Sequence, residues 1–212
     1  MLFGAVGDLH GDFESLDRVM ARHPEVLFWM CPGDLAAADG EYPQPRAPLY
    51  WIKGNNEDFD FVAAQPAGGG TMPNLHYIPN GTAVRTHDLT IAGLGGTFAP
   101  TWYQTPAADL QRERRRHFVR EEVDACKALE GVDILLTHEA PRPFPLTRVR
   151  DAGKTPVNEV LSAMRPRLHL FGHHHVYTVA ERQGVPSIGL AKVSNSYLVF
   201  DGRTLAHQRL TI

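Results

Sequence analysis

A chain of 212 residues has the length for one large domain with a full core, and its 43% hydrophobic and 21% charged residues are ordinary for a globular fold. A net charge of −3 excludes the global basic field with which a protein attracts nucleic acid or anionic membrane nonspecifically. The longest apolar runs, VLFWMC and DILLT, are of strand length and too short to span a bilayer.

Met1 leads directly into LFGAVG (2–7), which reads as a buried strand, so no signal peptide is expected before it. DFESLDRVMARH (12–23) has helical periodicity, with Asp12 placed as its cap. EVLFWM (25–30) and PLYWIKG (48–54) are the next strands, and EDFDFVAAQ is a short helix behind them. Pro66 to Pro73, with three consecutive glycines, reads as a loop. LHYI (75–78), TAVRT (82–86) and LTIAGLGG (89–96) predict a further strand and hairpin-like pieces. ADLQRERRRHFVREEVDACKAL (108–129) predicts the longest helix. VDILLTH (132–138) and RLHLFGH (167–173) are buried strands separated by the helix VNEVLSAM. The alternating tail, VYTVAER, SYLVFD and TLAHQRL, predicts antiparallel strands. No repeat or linker interrupts the series. The expected fold class is α/β, a two-sheet β-sandwich flanked by helices, with residues 1–212 as a single domain. Cys31 and Cys126 lie far apart in apolar contexts and are expected as buried free thiols in a reducing cytoplasm.

Each central strand is followed by a residue able to bind a metal. These are Asp8 and His10, then Asp34, Asn55, His138, and finally His173 and His175. In α/β sheets, ligand sites form at the carboxyl ends of strands, where the loops converge. A mixed oxygen and nitrogen donor set suits Mn, Fe, Zn or Co better than Mg or Ca. Seven donors are too many for one ion and suit a pair sharing a carboxylate. Paired ions about 3.5–4 Å apart clamp phosphoryl groups and activate water.

The series D-x-H, G-D, G-N-H-(D/E), H and G-H-x-H reads here as DLH, GD, GNNE, TH and GHHH, over residues 8–175. It resembles the calcineurin-like metallophosphoesterase superfamily. The resemblance implies a four-layer fold and two divalent transition-metal ions, Mn first, with Fe, Zn, Co or Ni as alternatives. It assigns one ion to Asp8, His10 and His175 and the other to Asn55, His138 and His173, with Asp34 as the bridge. It also implies a metal-bound hydroxide as the nucleophile. The segments NLHYIPNG, LTIAGLGGTF and DILLTHEAPRPF are similar to the lariat RNA debranching enzymes. The Ser/Thr protein phosphatases are less similar, because GDLAAADG stands where they carry D-R-G. One position departs from the superfamily: Asn56 occupies the place of a His that assists the leaving group. An amide can donate a hydrogen bond to an oxyanion but no proton at neutral pH.

The expected function is hydrolysis of a phosphoester, preferably a diester, of a small molecule or nucleotide. Nucleic acid is not indicated by charge, and no membrane is. Arg142, Arg148 and Arg150, in the loop after His138, are the candidate substrate-binding residues. Trp102 and Tyr103 are candidates to stack on a base, with plain packing as the competing reading. RERRRHFVR (112–120) reads as a solvated helix face or part of a basic rim. His174, between two proposed ligands, is expected to point away from the metals. The rival functions are a phosphomonoesterase or protein phosphatase and, from another class, a protein-interaction scaffold on the same fold.

Overall fold

A computed structural model of the chain describes residues 1–65, 72–147 and 150–212. The elements begin with β1 (Leu2–Val6), α1 (Phe13–Arg22), β2 (Val26–Cys31), β3 (Leu49–Trp51), α2 (Phe59–Ala63) and β4 (Leu75–Tyr77). They continue with β5 (Ala83–Thr86), β6 (Leu89–Leu94), β7 (Thr97–Phe98), β8 (His117–Phe118), α3 (Arg120–Lys127) and β9 (Ile134–Thr137). β10 (Pro145–Thr147), β11 (Arg150–Asp151), α4 (Thr155–Met164), β12 (Leu168–Phe171), β13 (Thr178–Arg182), β14 (Val185–Gly189), β15 (Tyr197–Asp201) and β16 (His207–Leu210) complete the order. Most of the loop expected over 66–73 lies outside the described residues.

Two six-stranded sheets carry the fold, in the orders β16-β15-β1-β2-β3-β4 and β13-β14-β12-β9-β6-β5. β1 to β4 run parallel, as do β14, β12, β9 and β6, and antiparallel strands close both sheets at one or both edges. Strands covered on both faces read as continuous apolar runs, which is why VLFWMC, ILLT and LHLF look as they do.

Alternation then sorts the side chains into layers. Phe3, Phe28, Met30, Ile91, Ile134, Leu136, Leu168 and Leu170 fill the space between the sheets. Burial of one such Phe contributes about 1.5–3 kcal/mol. Leu16, Val19 and Met20 of α1 cover the outer face of the first sheet against Trp29 and Trp51. Val123 and Cys126 of α3, with Val157, Val160 and Leu161 of α4, cover the second sheet at Leu135. The result is the expected helix–sheet–sheet–helix arrangement. Asp12 caps α1 as expected, accepting from Ser15 N at 3.1 Å.

The helix expected over 108–129 does not form as one element. Short 3-10 turns at Ala107–Asp109 and Arg112–Arg116 lead into β8, and only Arg120–Lys127 is α-helical. Phe118 and Val119 are fully buried, and β8 pairs with β7. The carbonyls of Arg115 and His117 accept from Lys53 Nζ at 2.9 and 3.3 Å instead of entering a helical ladder. Tertiary packing thus overrides the local helical propensity.

Candidate metal centre

The five metal-motif loops leave parallel strands. β1, β2 and β3 are neighbours in the first sheet, and β9 and β12 in the second, so their carboxyl ends share one edge of the molecule. Contacts cross between the sheets there. His138 Nε2 lies 3.0 Å from Asn55 Oδ1, and His173 N donates to Asp8 Oδ2 at 3.0 Å. Two glycines permit this convergence: a Cβ at Gly54 would overlap Asp34 Oδ1, and one at Gly172 would overlap Asp8 Oδ1. His10, Asp34, His173 and His175 all have positive φ, between 47° and 66°. L residues rarely adopt this left-handed conformation and do so where the surroundings impose it, often at functional sites.

Asp8, His10 and His175 bring their donor atoms within 4.8 Å of one another, and so do Asp34, His138 and His173. In the first group, His10 Nε2 and His175 Nε2 are 3.2 Å apart, and Asp8 Oδ2 is 3.0 Å from His175 Nε2. Asp34 stands between the groups, with Oδ2 at 3.6 Å from His10 Nε2 and Oδ1 at 3.6 Å from His138 Nε2. With metal–ligand bonds of about 2.1 Å, donor atoms stand about 3.0 Å apart at right angles and about 3.4 Å apart in a tetrahedron. The 3.0 and 3.2 Å spacings within the first group fall between these values, and the 3.6 Å spacings of Asp34 lie just above them.

The protonation pattern fits a cation as well. His138 Nδ1 lies 2.7 Å from the Pro32 carbonyl, which can only accept, so Nδ1 carries the proton. In the neutral ring Nε2 is then a bare acceptor facing Asn55 Oδ1 and the Asp34 carboxylate, a convergence that either a proton on Nε2 or a cation satisfies. Burial opposes charge on His138, but Asp34 and then Asp8 raise its pKa nonetheless. Burial, and then His138, push His173 down to about 4, and burial also lowers His10. Neutral imidazoles are the ligand form. Burial would raise Asp34, but His138 and the Asn56 N–H groups hold it below the usual carboxylate range.

Asn56 sits against Asp34. Its backbone N donates to Asp34 Oδ1 at 2.8 Å and its Nδ2 donates to Asp34 Oδ2 at 3.0 Å. Asn55 N adds a third donor, at 2.7 Å from Oδ1. The Asn56 amide therefore orients the Asp34 carboxylate.

The Arg142 side chain is engaged by Asp151, its Nε donating to Oδ2 at 2.8 Å. Arg148 and the Arg150 side chain lie outside the described residues. His174 stacks on Phe144, ring centroids 4.6 Å apart, and burial pushes its pKa to about 4. Tyr103 is buried against Phe98, and Arg114 covers Trp102 at 4.0 Å, so packing accounts for both aromatics.

Sequence reasoning gave no role to Glu57. Its carboxylate accepts from Gly54 N, Leu35 N, Ala36 N and Tyr42 OH at 2.9–3.3 Å, tying the loop after β2 to the loop after β3. Burial, and then Asp34, raise its pKa to about 7. The acid next to Asn56 in GNNE was the signal. It also gave none to Glu139, whose buried Oε2 has no hydrogen-bond partner among the described residues and lies 3.7 Å from Lys154 Nζ. Its neighbour His138 was the only pointer.

Among solved structures, protein TT1561 of Thermus thermophilus matches with a TM-score of 0.70 at 14% identity, over 99% of this chain and 98% of that one. A novel archaeal phosphodiesterase matches with a TM-score of 0.56 at 10% identity, over the full length of both chains. Lariat debranching enzymes of Drosophila melanogaster and Schizosaccharomyces pombe are 26% and 25% identical, each over 78% of this chain. The chain spans 36% and 41% of those relatives' lengths. The family model of the calcineurin-like phosphoesterase superfamily domain matches residues 1–195, and the chain belongs to that superfamily.

Proposed function

We propose that the protein is a phosphodiesterase that uses two divalent metal ions, Mn first, to hydrolyse the phosphodiester of a small molecule or nucleotide. The observation that carries this reading is the position of Asp34, with one carboxylate oxygen toward His10 and the other toward His138. In this reading Asp8, His10 and His175 hold one ion, Asn55, His138 and His173 the other, and Asp34 both. Such ions supply Lewis acidity at the phosphoryl oxygens and an acidified water. Asn56 keeps the Asp34 carboxylate in register, and Pro32 fixes the tautomer of His138. Position 56 offers no proton at neutral pH, so the departing oxygen leaves with negative charge or takes a proton from water.

Two features support a diester over a monoester. The amide at position 56 gives no positive charge to balance a dianion, and the cleft beside it carries the carboxylates of Asp58 and Glu113. The names of the debranching enzymes and the archaeal phosphodiesterase point the same way. The buried free thiols Cys31 and Cys126 support a reducing, cytoplasmic setting. The test is hydrolysis of bis(p-nitrophenyl) phosphate and p-nitrophenyl phosphate with Mn and with EDTA. The reading expects the diester to be preferred and EDTA to abolish turnover. A monoester preference would favour the phosphomonoesterase, and no hydrolysis of either would favour the scaffold.

A further inference from the structure

A cleft of about 410 Å³ opens at the centre, within the range of about 300–1,000 Å³ usual for small organic ligands. Its lining includes His10 and Asn55, one residue from each proposed metal set, so the cleft adjoins the place where a reacting phosphorus would sit. Asn56, Arg116 and Glu113 line it as well, together with Ala36–Ala38, whose side chains are single methyl groups.

Arg116 is held in place from both sides. Lys53, two residues before Asn55, donates through Nζ to the carbonyls of Arg115 and His117, which flank it. Gly96 N donates to the Lys53 carbonyl at 2.7 Å, and a Cβ at Gly96 would overlap the Arg116 carbonyl. The guanidinium is oriented by Glu113, whose carbonyl accepts from Nε at 2.9 Å and whose carboxylate pairs with the outer nitrogen. Breaking the expected helix at residues 117–118 is what carries this side chain to the cleft. The arrangement joins Arg116 to the strand that delivers Asn55.

We propose that this cleft is the subsite for the organic alcohol of the phosphodiester, with Arg116 as its anchoring donor, and that it takes an uncharged, hydroxyl-rich group, a nucleoside or sugar. This deepens the phosphodiesterase reading and rests on it for the position of the phosphorus. The charges select the group. Glu57, Asp58 and Glu113 set three carboxyl groups against one guanidinium, which repels a second phosphate. A hydroxyl meets both partners, donating to a carboxylate and accepting from the guanidinium.

Two readouts test the proposal, one without metal. Saturation-transfer NMR with thymidine and the metal-free protein should show binding by wild type and its loss in Arg116→Gln and Ala38→Phe. Ala38 is exposed on the wall, so the added ring narrows the cleft without entering the core. With Mn, wild type should prefer thymidine 5′-(p-nitrophenyl phosphate) to methyl p-nitrophenyl phosphate in kcat/KM. The preference should fall about ten-fold in each variant, mainly through KM, as for loss of a charge-assisted hydrogen bond. Arg116→Lys should recover part of it. A preference unchanged in both variants, or no thymidine binding by wild type, would overturn the subsite. Thymidine binding without hydrolysis of any diester would instead overturn the phosphodiesterase reading and leave the cleft's specificity standing.

Discussion

Asn56 gives the Asp34 carboxylate a hydrogen bond from its backbone N–H at 2.8 Å and another from its side-chain amide at 3.0 Å. In the proposed mechanism, a residue that holds Asp34 and carries no labile proton should make the rate depend steeply on the leaving group. General acid assistance is worth about 10²–10⁴-fold. Asn56→His should restore part of that factor, more for alkyl than for aryl diesters. Plots of log kcat/KM against leaving-group pKa should be steep for wild type and shallower for the variant. Two parallel lines would show that position 56 does not govern the proton. Glu57 makes a different prediction, because its contacts are loop amides. Glu57→Ala leaves three backbone N–H groups and the Tyr42 hydroxyl without their acceptor. Urea denaturation should show a loss of about 3 kcal/mol, since each unsatisfied buried group costs about 1–3 kcal/mol. Unchanged stability would remove Glu57 as the clamp between the loops. The role of Glu57 was not legible in the sequence, because an acid after two amides reads equally as a helix start.

β12 carries a buried histidine outside the proposed ligand set. His169 lies 2.8 Å from Thr137 Oγ1 and 3.1 Å from Ser187 Oγ, and burial pushes its pKa to about 3. The unfolded imidazole takes up a proton near its ordinary value of 6.5, while the folded one does not. The stability due to the neutral ring is therefore full above pH 6.5 and lost as pH falls from there toward 3, at about 1.4 kcal/mol per pH unit. Comparing the unfolding free energies of wild type and His169→Gln at pH 7 and pH 5 measures this. The wild type should lose more over the interval, and equal losses would mean that His169 titrates normally in the fold. The packing of His169 was legible from its apolar neighbours on an alternating strand. The break in the 108–129 helix was not, because its cause is Lys53, about sixty residues earlier, reaching two carbonyls across the fold. Lys53→Met should therefore lower stability by about 1–3 kcal/mol, measured by thermal or urea unfolding. A variant as stable as wild type would show that this turn does not depend on the lysine.

Across the whole molecule, the two sheets place five strand ends at one edge, and this was readable because each motif follows an apolar run. The strand order and the facing of the sheets through Phe3, Phe28, Ile134 and Leu168 were not readable, since alternation names a buried face but not its partner. The residues whose donor atoms converge at this edge were legible through their order in the chain. The loop after His138 was expected to supply substrate contacts, and there Arg142 bonds Asp151. Arg116, the anchor proposed for the cleft, lies in what reads as a charged helix face. The most direct test of the account is metal stoichiometry, measured by plasma mass spectrometry on Mn-loaded, desalted wild type and Asp34→Ala. The account predicts about two ions per chain for wild type and at most one for the variant, since both sets lose their shared carboxylate. One ion or none in saturated wild type, or two retained by Asp34→Ala, would contradict it.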